Sequence, residues 1–490
     1  MKLLFLLLIS YSQLSLIASA QVHLGKGFTY PNIESAATAG AILPGDTVYL
    51  HAGSYYGYQG VSKLKGTANR WITITRYQQD AIDIAGTWQF MSCEYIKFLN
   101  LNFQGNTQYP GRLFSVDNSG SCTTQSKYIV VDSCRFTNMT KGEEVVAFKF
   151  GGVDSFEVTN CLFKDIPACE AMDYNVCRVG IIRGNRFENC LSGGHIKGGA
   201  SDILMERNIF INASQAPWVA FELGGDTGAQ FYCPEDKFEV KNLRFYSNII
   251  IGGYRGISLS SAVDCKIINN TFYNCGQATL RFLTTSALYP MLSGNRIENN
   301  IFAFGSSAYF NGGIQPSTAT TFDKNIYYSI SSPVFNGPYW DTPELDAIKD
   351  KNPTNVGSGT PMFTNEAPFD FHLAEGSPAI GEGLDVSEPM VDYEGKPFLT
   401  SGRSIGALEY NSVVGVSESD DLSSRLHPNP AGDYIDLPEM QHPHKLIIYN
   451  TLGYKVLEAM GDGRRIDLRT LPQGVYLLVA DGVALRFVKM

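Results

Sequence analysis

Charged side chains recur in a short segment that the chain repeats, and each copy ends in a pair of small residues. The segment reads Ala-Phe-Lys-Phe-Gly-Gly around Lys149, Gly-His-Ile-Lys-Gly-Gly around His195 and Lys197, and Ala-Phe-Glu-Leu-Gly-Gly around Glu222. Histidine, glutamate and lysine can exchange protons with a substrate, and a lysine cation can stabilise developing negative charge. We therefore take these positions as candidates for acid–base chemistry.

Alternation of apolar and polar residues indicates which of these side chains face outward. Lys149 and Glu222 occupy outward positions, whereas the same alternation would place His195 and Lys197 in the apolar column. A buried unpaired lysine is costly, so we expect a one-residue bulge among the neighbouring glycines to turn both side chains outward. Arg281, in Thr-Leu-Arg-Phe-Leu, extends the same outward row. In the alternative interpretation, Lys149 and Glu222 form an exposed ion pair of little energetic value, and His195 bonds a backbone carbonyl.

Three further residues are candidates for contacts with a substrate. Trp218 lies at the edge of a repeat, where its ring can either stack on a sugar or pack against the protein. Arg244 is an outward residue of a different strand column. Asp226 follows Glu222 closely enough to contribute a second carboxylate.

The elements that must position these residues form a repeat that is centred on asparagine in most copies. An apolar residue lies two positions after each reference residue, and a turn-forming residue usually lies four positions after it. Before the reference, apolar and polar side chains alternate, which is typical of a strand with one buried face. The reference positions, spaced 22 to 40 residues apart, are Leu101, Cys134, Cys161, Asn185, Asn208, Asn248, Asn270, Asn300 and Asn325.

This period predicts a solenoid, because short strands with turn residues in register bury their faces against the next coil. Stacked asparagines tolerate left-handed backbone angles, and their amides can bond the neighbouring coil. The Leu-x-Leu spacing of a leucine-rich repeat and the longer units of a propeller do not occur. We predict an all-β chain, a right-handed parallel β-helix over residues 21–410. A cap helix near 31–41 and functional loops at the insertions 104–125, 226–241 and 284–293 complete this prediction.

The chain begins with a predicted secretory leader. Residues 1–20 contain a lysine, an apolar run and Ala-Ser-Ala before Gln21, which predicts cleavage after Ala20; a membrane anchor is the alternative. We expect export to the periplasm and then to the cell surface or the medium. The net charge of −10 argues against binding to nucleic acid. No phosphate-binding glycine loop opens a helix, which argues against a nucleotide cofactor.

Ten cysteines are compatible with disulfides in an exported protein. Cys134 and Cys161 share a column on adjacent coils, so they either pair or stack as small apolar residues. Cys169 and Cys177 can close a loop, and most of the others are expected to fill the core. No cysteine and histidine spacing indicates a metal site.

The C-terminal part of the chain departs from the repeat. An irregular closing segment ends at residue 410, and residues 411–424, rich in Ser, Val and Asp, are predicted to be a linker. Residues 425–490 contain Pro-Asn-Pro, Tyr-Asn-Thr-Leu-Gly and Leu-Pro-Gln-Gly-Val-Tyr, with the alternation of a small β-sandwich. They resemble the type A sorting domain of the type IX secretion system of Bacteroidetes. The resemblance implies that the secretion machinery is a partner and that this domain is removed after export.

The start of the mature chain and the coil of Lys197 resemble the chondroitinase B and alginate lyase type of polysaccharide lyase, within the pectate-lyase-like superfamily. The matching motifs are Pro44-Gly-Asp-Thr-Val-Tyr-Leu, Lys65-Gly-Thr-Ala and Ile196-Lys-Gly-Gly. The resemblance implies that Lys197, with its pKa lowered beside Lys149, removes the proton α to a uronate carboxylate, and that cations stabilise the enolate. The acidic calcium ligands that precede the family's lysine are absent here. No cofactor is therefore firmly implied, and a bound calcium ion is left as an alternative.

The sequence leaves three functions open. The first is a lyase or epimerase on a uronate-containing glycan, with Lys197, His195 and Glu222 in catalysis. The second is a glycoside hydrolase that pairs Glu222 with another carboxylate. The third is a non-catalytic glycan-binding or surface protein. In each case we expect a monomer that contacts polysaccharide. The substrate-binding candidates are Lys149, Arg281, Arg244, Asp226 and Trp218, and the carboxylates considered as partners of Glu222 are Asp226, Asp173 and Glu170.

Overall fold

The computed structural model describes residues 21–490 apart from short gaps. These gaps are 110, 119–124, 140–145, 232–237, 285, 287–291, 306–308, 313–319, 333–334, 348, 351–354, 358–362, 366–368, 411–430, 437–443, 451–454, 462–464, 481–482 and 490. Strands dominate the described residues. Helical structure among them consists of the α-helices Ile33–Thr38 and Pro343–Ala347 and the 3-10 turn Ala229–Phe231.

Parallel strands up to residue 357 stack in three columns, and each coil of the chain contributes in turn to each column. The first column is one sheet whose main path follows chain order, as stacked coils require, and the short strands Val240–Lys241 and Ala262–Val263 pair beside this path. Its strands are Gln21–Leu24, Thr47–Leu50, Ile72–Arg76, Glu94–Leu99, Ser126–Asp132, Val153–Thr159, Arg178–Arg183, Ala200–Glu206, Val240–Lys241, Arg244–Tyr246, Ala262–Val263, Lys266–Ile268, Arg296–Glu298 and Thr321–Asp323.

The second and third columns belong to one continuous sheet. They are joined because two long strands, Leu162–Asn175 and Arg186–Lys197, run through both columns. The other second-column strands are Gly53–Tyr56, Ile82–Ala85, Asn102–Gln104, Arg135–Thr137, Ile209–Ile211, Ile249–Ile251, Thr271–Tyr273, Ile301–Phe304, Ile326–Ser329 and Asn355–Gly357. The other third-column strands are Gln59–Ser62, Trp88–Met91, Phe114–Asp117, Val146–Gly151, Phe221–Gly224, Arg255–Ser260, Ala278–Leu283, Tyr309–Gly312 and Tyr339–Trp340. This arrangement is a parallel β-helix, as the repeat predicts.

The reference asparagines form a buried ladder along one edge of the solenoid. The backbone N–H of Asn185 donates to Oδ1 of Asn208 at 3.0 Å, and Nδ2 of Asn185 donates to the carbonyl of Val158 at 2.8 Å. The same bonds recur from Asn208 through Asn325, where Asp350 accepts the last of them. The predicted amide bonds between coils are therefore confirmed.

The left-handed backbone angle does not fall on the ladder asparagines themselves. It falls on the residue immediately before them, for example at Arg207, Asn269 and Lys324. The expectation that the stacked asparagines adopt this angle is therefore wrong. A ladder asparagine must direct its amide inward between two coils, whereas the residue before it is the one that turns the chain. The turn residues four positions after the reference, such as Asn189 and Asn274, do have positive φ.

Aromatic rings two positions after the reference stack through the interior. Phe163 and Phe187 have ring centroids 5.0 Å apart, and Phe187 and Phe210 have centroids 4.5 Å apart. All three side chains are fully buried. Because parallel coils repeat the same position, these rings stack face to face and contribute both apolar burial and ring–ring contacts.

A short helix follows the first strand of the solenoid, and an irregular segment covers one side of the solenoid. Helix Ile33–Thr38 has a capping box at Asn32 and buries Ile33 and Ala36 in the main core. This helix is shorter than the predicted 31–41. The hairpin Phe363–Asn365 and Asp370–Leu373 and the chain up to Tyr410 pack apolar side chains on the outer face of the second column. The closing segment therefore lies along the solenoid.

The cysteines that the structure describes carry free thiols and are buried. This applies to Cys134 and Cys161 and also to Cys169 and Cys177, so the core-filling interpretation holds for these four residues. Two cysteines, Cys122 and Cys233, lie outside the described residues, as do the predicted leader 1–20 and linker 411–424. Within the described part of the chain, no helix has the length and hydropathy needed to cross a membrane.

The C-terminal region has its own antiparallel sheets and its own core. A pair of strands, Tyr434–Asp436 and Arg465–Asp467, accompanies a sheet of His444–Asn450, Lys455–Gly461, Gly474–Ala480 and Val483–Lys489. Ile448, Leu478 and Phe487 are among the side chains that the core encloses. Short antiparallel strands around a separate core agree with the predicted small β-domain.

Candidate functional site

The third column carries a continuous row of outward-facing polar side chains, one from each of nine successive coils. Strand register places each residue of this outward row directly beside the next, at the strand spacing of about 4.8 Å. In chain order the outward row is Gln89, Ser115, Lys149, Asp173, His195, Glu222, Ser258, Arg281 and Asn311. The structure therefore brings four of the sequence candidates, Lys149, His195, Glu222 and Arg281, into one line.

Glycines set the direction of His195 and Lys197. Ile196 between them is fully buried in the core, so both neighbours point outward, as expected. The expected bulge does not lie among the glycines: the strand pairs in regular register from Gly194 to Lys197, and the register shift of this strand pair lies between Ile166 and Glu170 on the preceding coil. Gly194 has φ +121°, and a Cβ at this position would lie 1.9 Å from the carbonyl oxygen of Met172. Gly198 has φ +72° immediately after Lys197. Side chains are strained or excluded at both positions, which explains why glycine flanks this strand end.

His195 is held between two carboxylates of the preceding coil. Its Nε2 lies 2.8 Å from Oδ1 of Asp173, and its Nδ1 lies 2.9 Å from Oε2 of Glu170. Burial alone would lower the pKa of His195, but the hydrogen bonds and charges of Asp173 and Glu170 raise its pKa to about 9. At neutral pH both ring nitrogens therefore carry protons and donate to the two carboxylates.

Asp173 is ionised because two cations surround it. Burial opposes ionisation, but the hydrogen bond and charge of His195 and the charge of Lys149 hold its pKa well below the ordinary range. Lys149 Nζ lies 2.8 Å from Oδ2 of Asp173. The expectations that Lys149 lies beside Lys197 or pairs with Glu222 are therefore wrong. Asp173 occupies the neighbouring position of the outward row and forms the ion pair with Lys149.

Glu222 lies half-buried between His195 and Ser258 in the outward row. Burial raises the pKa of its carboxyl group, although the nearby charges of His195, Arg281 and Lys197 act in the opposite direction. Ser258 Oγ and Arg281 Nε are buried and have no hydrogen-bond partner among the residues that the structure describes. Lys197 leans toward the strand of Glu222, since a Cβ at Gly225 would lie 2.8 Å from Lys197 Cδ.

The remaining candidates lie at the margin of the outward row or away from it. Trp218 is 40% exposed in the turn that leads into the strand of Glu222, and Asp226 is exposed in the loop that follows this strand. Arg244 belongs to the first column, where its NH1 lies 3.7 Å from Oε1 of Glu388 in the closing segment. Arg244 is therefore not part of this site, because its column faces another side of the solenoid.

Two features of the site were not predicted. The pairing of Asp173 and Glu170 with His195 was missed, although Tyr174 and Ile196 fill the same core position 22 residues apart and align their neighbours. Glu239 is the second feature. Its fully buried carboxylate accepts from the N–H of Gly198 at 3.0 Å and from Oγ1 of Thr227 at 2.8 Å. It lies in an insertion, where the repeat supplies no alignment.

The described residues contain no group of three histidine, cysteine or acidic side chains arranged to hold a metal ion. Asp173 and Glu170 are instead bonded to His195 and Lys149, and Glu239 is bonded to backbone and hydroxyl donors.

Comparison with known proteins identifies two regions. Residues 146–332 match the family described as right handed beta helix region, and residues 425–489 match the secretion system C-terminal sorting domain. No curated protein sequence matches the chain.

Several solved structures are similar in fold. Pectate lyase Pel9A has a TM-score of 0.46 and 12% identity, over 80% of this chain and 98% of its own. The family PL6 alginate lyase AlyGC has a TM-score of 0.38 and 11% identity, over 73% of this chain and 57% of its own. PfbA, a surface adhesin of Streptococcus pneumoniae, has a TM-score of 0.37 and 12% identity, over 62% of this chain and 89% of its own. From the strand topology and the two family matches, the chain is a right-handed parallel β-helix protein with a C-terminal secretion sorting domain, which directs it to the cell surface or the extracellular space.

Proposed function

We propose that the outward row of the third column acts on a uronate-containing polysaccharide as a lyase or epimerase. The observation that carries the proposal is the arrangement of two cations around one acid. Lys197 and Arg281 both lie close enough to Glu222 to influence its ionisation, and neither has an ion-pair partner among the residues that the structure describes. A uronate carboxylate supplies the charge that two such cations attract.

The reaction begins with removal of a proton from the carbon α to the uronate carboxylate. Lys197 first releases its own proton to solvent and then, as the free amine, accepts the proton from this carbon, while Arg281 stabilises the negative charge that spreads onto the carboxylate oxygens. In a lyase the electron pair forms a carbon–carbon double bond and expels the glycosidic oxygen, which takes a proton from Glu222. In an epimerase Glu222 returns a proton to the same carbon from the opposite face.

His195 has a positioning role in this proposal. Its two ring protons are already bonded to Asp173 and Glu170, so it has no free nitrogen with which to accept a substrate proton. Its positive charge instead lies beside Glu222 in the outward row. This differs from the proton-transfer role considered for His195 from the sequence.

Incubation of the mature protein with a panel of uronate polymers tests the proposal. A lyase produces the ultraviolet absorbance of an unsaturated uronate, and an epimerase changes the ratio of the two uronates without that absorbance. We expect Lys197→Ala to lower the rate by about 100-fold or more. Lys164→Ala is the matched control, because Lys164 Nζ pairs with Glu188 at 2.8 Å on the second column. Wild-type turnover by a folded Lys197→Ala protein would exclude Lys197 as the base.

Hydrolysis is a second candidate because the raised pKa of Glu222 also suits a general acid. Asp226 is the carboxylate nearest in sequence that is exposed and therefore available as its partner. Release of reducing ends without unsaturated product would support hydrolysis, and binding without product would support a non-catalytic glycan-binding protein.

We further propose the route and organisation of the chain. Residues 1–20 act as the leader into the periplasm, residues 21–410 form the mature β-helix region, and residues 411–424 link it to the sorting domain. Residues 425–490 then engage the type IX secretion machinery. Mass determination of the secreted protein tests cleavage after Ala20 and removal of residues 425–490 after export. A product that retains either segment would contradict the proposal.

A further inference from the structure

We propose that Tyr58 forms a remote aromatic subsite at the N-terminal end of the outward row, and that this subsite binds a neutral sugar of the same glycan. The inference rests on the proposed function for the identity of the ligand as a uronate-containing chain. Tyr58 is 55% exposed and immediately precedes the third-column strand Gln59–Ser62. An exposed ring at this place can stack on the apolar face of a sugar.

The ring of Tyr58 extends over the sheet because Gly60 leaves room for it. A Cβ at Gly60 would lie 2.8 Å from Cε1, 3.0 Å from Oη and 3.2 Å from Cζ of Tyr58. Gly60 pairs in register with Gln89, which begins the outward row. The ring therefore lies over the position that continues the outward row by one more coil.

Hydrogen bonds hold the Tyr58 ring in this orientation. Its Oη donates to Oε1 of Gln89 at 2.8 Å, and Nε2 of Gln89 donates to Oδ2 of Asp117 at 2.7 Å. A ring fixed in this way loses little conformational freedom when a ligand stacks on it, which favours binding. The second exposed tyrosine nearby, Tyr56, has its ring centroid 5.3 Å from that of Tyr109 and donates from Oη to Asp83.

The position of Tyr58 defines the length of the ligand. Gly60 and Glu222 are separated by six strand steps of about 4.8 Å, or about 29 Å along the solenoid. A disaccharide cannot cover this distance, whereas an oligosaccharide of several residues can. The subsite therefore belongs to a polymer that lies along the solenoid axis.

The charges near Tyr58 define the kind of sugar. The hydrogen-bond partner of Tyr58, Gln89, is bonded in turn to the carboxylate of Asp117, whereas Lys197 and Arg281 lie near Glu222 at the other end of this stretch. An acidic sugar at Tyr58 would face like charge, and a neutral sugar would not. We therefore assign uronate to the Lys197 end and a neutral sugar to the Tyr58 end of a glycan that contains both.

Calorimetric binding of defined oligosaccharides to the full chain tests this assignment. The probes are a tetrasaccharide and a decasaccharide of hyaluronan, in which uronate alternates with neutral N-acetylhexosamine, and an oligogalacturonate decasaccharide, which is acidic throughout. All proteins carry Lys197→Ala to prevent turnover, and product analysis after titration verifies that no probe is cleaved. We expect Tyr58→Ala to lower the affinity for the hyaluronan decasaccharide by about tenfold and to leave the affinity for the tetrasaccharide unchanged.

Three further variants make the result specific. Gly60→Ala places a methyl group against the Tyr58 ring and should reproduce the loss with Tyr58 still present, whereas Tyr58→Phe should retain most of the affinity. Tyr128→Ala, an exposed tyrosine that stacks on Tyr95 in the first column, should have no effect. The assignment would be overturned if Tyr58→Ala lowered the affinity for short and long hyaluronan equally. It would also be overturned if no probe bound more tightly as its length increased. A length-dependent loss of affinity, with neither elimination nor epimerisation by the unmodified enzyme, would refute only the proposed function.

Discussion

The imidazole Nε2 of His195 lies 2.8 Å from Oδ1 of Asp173 on the preceding coil, and both side chains are nearly buried. The pKa of His195 is about 9 in the folded protein and about 6.5 in an unfolded chain. Protonated His195 therefore stabilises the fold fully below about pH 6.5, and this contribution is lost as the pH rises to about 9. The pKa of Asp173 is lowered, so its contribution is present at neutral pH and is lost only in acid.

The first prediction is a fall in the free energy of unfolding between about pH 6.5 and pH 9, on the order of 3 kcal/mol. Chemical denaturation at a series of pH values measures it. His195→Gln should be less stable at pH 6 and should lack this slope. His372→Gln is the control, because the half-exposed His372 is screened by solvent and its removal should leave the slope in place. An unchanged slope in His195→Gln would show that the slope has another origin.

The second prediction concerns the asparagine ladder. Oδ1 of Asn248 accepts from the N–H of Asn208 at 2.9 Å, and Nδ2 of Asn248 donates to the carbonyl of Met205 at 3.0 Å. Asn248→Leu leaves both buried groups without partners, so we expect a loss of about 2–4 kcal/mol in the free energy of unfolding. Asn102→Ala, at a partly exposed position of the second column, should change it by less than about 0.5 kcal/mol. Equal effects of the two substitutions would contradict a structural role for the ladder.

The repeat made the solenoid predictable because equivalent positions on stacked coils have the same packing environment and therefore carry similar residues. Asn208 and Phe210 recur in register, and only parallel stacking places an amide under an amide and a ring under a ring. The left-handed angle at Arg207 was assigned one position too late, because the sequence shows that the chain turns but does not show which peptide turns. Periodicity therefore fixed the fold more precisely than the backbone conformation.

The site was harder to predict than the fold because its ion pairs join different coils. Alternation and the neighbouring glycines placed His195 and Lys197 outward, but the partner of Lys149 depends on which residue occupies the adjacent coil. The coil of Asp173 ends in Asn-Val in place of two small residues, so it was not aligned with the others. Tyr58 was missed for a related reason: its importance follows from the space above Gly60, which no sequence pattern describes.

The third prediction is that Glu239 positions Lys197. Its carboxylate accepts from the N–H of Gly198 and from the N–H of Thr227, both at 3.0 Å, and so fixes the turn that follows Lys197. Glu239→Gln presents an amide donor to these donors and loosens the turn. We expect kcat to fall by about tenfold with KM nearly unchanged. Glu188→Gln, a surface substitution on the second column, is the control. A lower stability with an unchanged kcat would assign Glu239 a purely structural role.

The fourth prediction concerns Glu222, which donates a proton in both candidate reactions. Burial raises the pKa of Glu222, so a larger fraction of this acid keeps its proton as the pH rises than for an exposed glutamate. If Glu222 donates that proton, the rate of the unmodified enzyme should fall as the pH rises through its pKa. Glu222→Gln should be slower by about 100-fold and should lack this pH dependence.

Asp226→Asn is the informative companion to Glu222→Gln, because Asp226 is exposed close to the same strand. Proton abstraction by Lys197 needs no second carboxylate, so this variant should retain its rate and its unsaturated product. Hydrolysis needs two carboxylates, and a loss in Asp226→Asn as large as that in Glu222→Gln would therefore count against the lyase and for the hydrolase. Because both substitutions replace a carboxylate by an amide of the same size, a difference between them reports the chemistry of the site and not its packing.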